Sequence, residues 1–269
     1  MLLLTSQAVL FDLNHILYMV ISFLLTAVLL ALAFFFVKAQ NKRDNFLKLW
    51  AVLTVVIHYS IIYVNFLKEG NLQIGENMIF AIHPCNVCMW LLLITAFVKN
   101  KNTVAFRLLA EFVFWAGTVC GIIGIVLNEN YVGNGITDYE AFKGLVSHST
   151  MIVGALYLLV GGYVKLRASN VLSVVLGLLL FVVNGALINF IYKLFDRGEP
   201  NSMYLQEAPF PNVPWLNTLV IGLIAVAVCF AITATYEQIA LKREDRWYTR
   251  LHNLMKMKKE EKNSERVVF

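Results

Sequence analysis

One feature constrains this chain above all others: apolar runs of about 20 residues recur from one end of its 269 residues to the other. A run of that length, wound at about 1.5 Å per residue, spans about 30 Å of hydrocarbon. Seven runs are visible, at about 15–37, 47–67, 78–98, 104–127, 144–164, 171–195 and 215–241. In lipid a segment must satisfy its own backbone hydrogen bonds, so such runs imply helices. The composition agrees. The chain is 59% hydrophobic and 14% charged, whereas a soluble domain is nearer half and a quarter. Soluble enzymes, disordered tails and secreted disulfide scaffolds are thereby excluded. The expected fold class is all-α, a polytopic integral membrane bundle of seven transmembrane helices. Residues 1–241 form that bundle, and 242–269 form a basic cytoplasmic tail. The first run, His15 to Val37, is too long for a signal-peptide core and reads as a retained helix.

The net charge of +5 would suggest nucleic acid in a soluble protein. Here the cations gather at helix ends, which membrane topology explains, and no nucleic-acid partner is expected. The connectors 38–46, 99–103 and 165–170 are short and basic, whereas 68–77, 128–143 and 196–214 are poor in Lys and Arg. With the N-terminus outside, 18 of the 22 Lys and Arg residues fall on the inner side. Only Lys68, Lys143, Lys193 and Arg197 stay outside, so the expected orientation is N-out and C-in. The tail mixes cations with Trp247, Tyr248, Leu251, Leu254 and Met255. It fits either an interfacial helix on anionic lipid or a solvated basic tail.

Polar groups within apolar spans are costly and usually face the bundle interior. Those in this chain are His58, His83, Asn86, Glu111, His148, Asn184 and Asn189, accompanied by Cys85, Cys88 and Cys120. Most of them fall in one outer-leaflet layer. Glu111 lies near the inner face, four residues after Arg107, and is expected to pair with it.

The segment His83-Pro84-Cys85-Asn86-Val87-Cys88 carries the most chemistry. A proline in mid-span lacks an N–H and breaks the helix, while it suits the first position of a new one. Cys85 would then sit in the first turn of a half-helix, where free N–H groups and the dipole favour a thiolate or an oxyanion. A neutral histidine nearby, either His148 or His83, would accept the thiol proton. Three other readings compete. The first is a plain proline kink with an inert buried cysteine. The second is a thiol–disulfide oxidoreductase that uses Cys85 and Cys88. The third is a zinc site from His83, Cys85, Cys88 and His148, whose ligand spacing is not a standard one; no metal is expected. A transporter or small-molecule binder is a further alternative, because broken helices near the midplane suit it.

The chain resembles the YwaF-type seven-span membrane proteins of bacteria and their eukaryotic relatives, among them cysteine-dependent phospholipid acyltransferases. The resemblance rests on three elements: His83-Pro84-Cys85, Val146-Ser147-His148, and Asn201-Ser202-Met203-Tyr204-Leu205 followed by Pro209 and Pro214-Trp215. It covers residues 45–240. The chain departs from the family pattern in the proline between His83 and Cys85 and in Ser202 at a usual tyrosine. The resemblance implies that Cys85 is the nucleophile and acyl carrier and that His148 is the general base, with His83 beside them. It implies that the loop with Asn201 and Tyr204 covers the site, and the buried polar residues His58, Asn86, Asn184 and Asn189 are the further expected substrate contacts. Its partners would be membrane phospholipids and lysophospholipids, with no soluble cofactor. Such a protein is expected in the bacterial plasma membrane, with its site toward the outer leaflet.

Overall fold

The computed structural model describes residues 8–70, 76–198, 200–210 and 212–267. Parts of the 68–77 and 196–214 connectors and the last two tail residues lie outside them. The described residues are helical and contain no strand. In chain order the helices are α1 (Leu13–Phe36), α2 (Gln40–Glu69), α3 (Glu76–Ile79), α4 (Pro84–Phe97), α5 (Val104–Val126), α6 (Tyr139–Val160), α7 (Asn170–Leu194), α8 (Thr218–Ala240) and α9 (Trp247–Val267). Among the described residues six helices are long and apolar enough to cross a membrane: α1, α2, α5, α6, α7 and α8. The third expected span is different. Its regular part, α4, has 14 residues, about 21 Å of helix.

The ends differ from the hydropathy boundaries for local reasons. α2 begins at Gln40 because its first turns are polar, and an apolar window sees only the later part. α6 begins at Tyr139, where the Asp138 carboxylate accepts the N–H groups of Glu140 and Ala141. α6 stops at Val160 because Gly161 and Gly162 follow, Gly162 with φ +80°.

α6 is the central helix: 67% of its spanning window is buried, against 17% in α1 and 11% in α8. It packs against α1, α2 and α5. The closest seam is with α5. A Cβ on Gly117 would lie 3.1 Å from the Ala155 Cβ, and one on Gly121 would lie 2.4 Å from Ile152 Cγ1. Small residues at four-residue spacing let two backbones approach and gain dispersion contact, which drives helix association where lipid supplies no hydrophobic force. Phe112, Val113, Leu92, Met151 and Leu158 fill the core beside this seam.

The two ends of the bundle differ chemically. One holds the start of α4, the start of α6 and the α7–α8 connector. The other holds the α4–α5 and α6–α7 connectors and α9, with most of the cations. The expected Arg107–Glu111 pair is not formed. Glu111 turns inward and accepts from the Ser173 hydroxyl on α7. Glu237, fully buried in α8, joins three elements. It accepts from Ala168 N–H at 2.9 Å, Trp247 N–H at 2.5 Å and the Arg250 guanidinium at 2.9 Å. Such satisfaction is what allows a carboxylate to be buried. It ties the start of α9 to α8, and the Trp247 ring meets Phe230 edge-on at 5.4 Å.

Candidate functional site around the broken third span

Pro84 removes one N–H and holds His83 extended, at φ −100° and ψ 153°. Carbonyls just before the break therefore lack helical partners, and one side chain and one loop supply them. The Asn184 amide donates to Ala81 O at 2.9 Å. Ile82 O accepts from Met203 N–H at 2.9 Å and from the Ser202 hydroxyl at 3.0 Å. Asn189 holds that loop from α7, accepting from Ser202 N–H at 2.8 Å and donating to Ser202 O at 3.4 Å. The loop can come this close because Gly185 has no side chain; a Cβ there would lie 2.9 Å from Met203.

The loop is bent hard. Asn201, Met203 and Tyr204 have φ of 46°, 55° and 54°, in the left-handed region that costs a non-glycine residue about 1 kcal/mol or more. Its hydrogen bonds offset that cost. Asn201 Oδ1 accepts from Gln206 and Glu207 N–H, and Thr218 Oγ1 donates to Tyr204 O at 2.6 Å. Asn184, Asn189 and Asn201 thus spend their amides on bracing the break. Tyr204 lies over His83, ring centroids 5.9 Å apart. Burial holds its phenol above the usual value of 10, so it stays protonated.

Cys85 is the second residue of α4, as the proline argument predicts. Pro84 has no N–H and the Asn86 N–H donates to His83 O at 3.0 Å, so the Cys85 N–H is the donor left free in this first turn. The Asn86 side chain closes the turn, its Oδ1 accepting from His83 N–H at 3.3 Å. Its Nδ2 reaches His58 Nε2 on α2 at 3.2 Å. An amide donor there requires His58 Nε2 to accept, which fixes the neutral tautomer with the proton on Nδ1. One turn further, the Cys88 and Cys120 sulfurs are 3.9 Å apart, so Cys88 meets a cysteine on α5. All four cysteines, the buried Cys229 of α8 included, are free thiols.

His148 lies on the central helix. Its Nδ1 donates to Gly144 O, four residues back, at 2.7 Å. The proton is therefore on Nδ1 and the Nε2 lone pair is available. The ring lies flat on Gly124 of α5, where an added Cβ would sit 2.3 Å from Nε2 and 2.2 Å from Cδ2. A glycine is thus required opposite the imidazole.

Lys143, one turn before Ser147 on α6, is buried at 4% exposure. It lies within electrostatic range of Cys85, His58 and His148. The sequence places it merely among four outer-side cations. The overlooked signal is its position five residues before His148, in an otherwise apolar turn. Gly124 was also missed, because a glycine's role shows only against its neighbour.

The structure therefore brings together His58, Asn86, Cys85 and Cys120 around the start of α4, with Lys143 linking them electrostatically to His148. His83 and Tyr204 cover one side. No hydrogen bond joins Cys85 to His148. Among the described residues no group of three or more His, Cys, Asp or Glu side chains is placed to hold a metal ion. A second broken span, as in paired-repeat transporters, is not seen among the described residues, because α1, α2, α5, α6, α7 and α8 run continuously. A model of the TMEM164 family, a membrane-protein family, matches residues 10–236 of the chain. No curated protein and no solved structure matches it.

Proposed function

The chain belongs to the TMEM164 family of membrane proteins, and from that premise we propose that it is a lipid acyltransferase working through a thioester on Cys85. The observation that carries this reading is the position of Cys85. It is the second residue of a half-helix that starts inside the bundle, where its own N–H has no helical partner. His148 takes the thiol proton on Nε2, the nitrogen left free by its bond to Gly144 O. The thiolate attacks an ester carbonyl of a phospholipid. The Cys85 N–H at the start of α4 and the Lys143 ammonium stabilise the oxyanion. His148 then returns the proton to the departing lysophospholipid oxygen, and the acyl group stays on sulfur. A second hydroxyl, deprotonated by His148, takes the acyl group and frees Cys85. Donor and acceptor both come from the bilayer. The proposed topology is seven spans, N-out, with the site toward the outer leaflet. His83, Tyr204 and His58 border the acyl path, and Asn184, Asn189 and Asn201 hold the frame.

The test is transfer of a labelled acyl chain from phospholipid to lysophospholipid by purified protein. Cys85→Ala and His148→Ala are expected to abolish turnover while the protein still inserts and folds. Retained turnover in Cys85→Ala refutes the reading.

One observation favours a second reading, thiol redox chemistry. The Cys88 and Cys120 sulfurs are already in contact at 3.9 Å, and a disulfide needs them about 2 Å closer. That function would require Cys88 and Cys120 and leave Cys85 dispensable.

A further inference from the structure

At the end of the bundle opposite Cys85 lies a cavity of about 820 Å³. It is framed by the start of α2, the α4–α5 turn, the α6–α7 connector and α9. Six cations line it: Lys99, Lys101, Arg107, Lys165, Arg167 and Arg250. Two carboxylates line it as well, Asp44 and Glu111, and neither neutralises the cluster. Asp44 faces Lys101 at 3.9 Å, and it also accepts from the Tyr163 hydroxyl at 2.5 Å. Glu111 is spent on Ser173. Arg250 is paired with Glu237 outside the cluster, and Arg167 donates only to a backbone oxygen, Asp245 O, at 3.3 Å. Among the described residues, Lys99, Arg107 and Lys165 have no carboxylate within ion-pair distance. Four cations therefore lack a counter-charge around one concavity.

Thr103, the N-cap of α5, and Ser169, the N-cap of α7, also line the cavity. Topology alone would place cations at this end of the bundle. It would not make residues from separate turns and helices converge on one cavity.

We infer that this cavity is a binding site for a phosphate group, carried either on an anionic lipid headgroup or on a soluble phosphate ester. Phosphate matches the site because it offers several acceptor oxygens and more than one negative charge. An Arg fork and point-charge lysines both serve such a ligand. The site is separate from the Cys85 chemistry and does not depend on it.

The test uses the full chain, purified into phosphatidylcholine nanodiscs. One arm adds about 10% phosphatidic acid to the disc, and the other adds soluble glycerol phosphate. Retained ligand by native mass spectrometry and the shift in thermal unfolding are read in each arm. Binding in the lipid arm alone assigns a headgroup site, and binding in the soluble arm alone assigns a phosphate-ester site. The double variant Arg107→Gln with Lys165→Gln should bind at least about tenfold more weakly, since it loses two charge-assisted contacts. Its unfolding in phosphatidylcholine alone should match that of wild type. If it fails to fold, the single variant Lys99→Gln, on an exposed turn, takes its place with a smaller loss. Cys85→Ala should bind like wild type, which separates failure here from failure of the acyl-transfer reading. No binding in either arm, or undiminished binding by the double variant, overturns the inference.

Discussion

Gly124→Ala tests the site at the scale of a single methyl group. The new Cβ would stand 2.2 Å from Cδ2 and 2.3 Å from Nε2 of His148. Ordinary carbon contacts lie at about 3.5–4.0 Å, so the overlap exceeds about 1 Å. The ring can escape by rotating, which breaks the 2.7 Å bond from Nδ1 to Gly144 O. That bond is worth about 1 kcal/mol net. Otherwise α5 and α6 must separate, which the close seam at Gly117 and Gly121 resists. Overpacking of this kind costs about 1–3 kcal/mol. Alanine returns about 1 kcal/mol of helix propensity, so the loss of stability is small. The loss of activity is not, because a displacement of about 1 Å at a reacting group costs about a hundredfold. Acyl transfer by Gly124→Ala protein should fall by about that factor while the thermal transition moves only slightly. Gly117→Ala is the control. Its Cβ meets Ala155 Cβ at 3.1 Å and Val113 Cγ1 at 3.8 Å, on the same α5–α6 seam but away from His148. It should lose stability yet keep most of its turnover below its transition. Wild-type turnover in Gly124→Ala, or equal losses in the two variants, would refute the placement of His148.

Three further outcomes follow from the geometry. Ser202→Ala removes one of two donors to Ile82 O and should cost about 1 kcal/mol in thermal unfolding, with hydrogen exchange rising first around Ile82 and His83. Protection unchanged at those amides would contradict the bracing role of the loop. Glu237→Gln uncouples the half-exposed Arg250 and should cost about 1.5 kcal/mol, with new protease cleavage near Trp247; an undisturbed α9 would contradict it. Cys88→Ser and Cys120→Ser should both retain acyl transfer, and its loss in either would contradict Cys85 as the one cysteine the reaction needs.

The bundle was legible because lipid imposes one rule on every span, and apolar length reads it directly. The break at Pro84 was legible for the same local reason: a missing N–H is written in the residue. What holds the break was not. Asn184, Asn189 and Asn201 are visible as costly polar residues, but their targets are backbone N–H and C=O groups, which carry no sequence signature. Arg107 and Glu111 have ideal helical spacing, yet Ser173 on a neighbouring helix outcompetes the local pair. Glu237 drew no notice in a span's last turn, although it joins α8 to α9 and to the α6–α7 connector. Tertiary competition decided each of these cases, and one helix viewed alone does not contain it.

The central claim is that Cys85 carries the acyl group. Intact-protein mass spectrometry of the purified protein, quenched during incubation with phospholipid of one defined acyl chain, tests it most directly. The account predicts an added mass equal to that acyl group, removable by neutral hydroxylamine, mapped to Cys85 and discharged by lysophospholipid. An unmodified Cys85 in protein that is turning over, or the same adduct on Cys85→Ala protein, would contradict it.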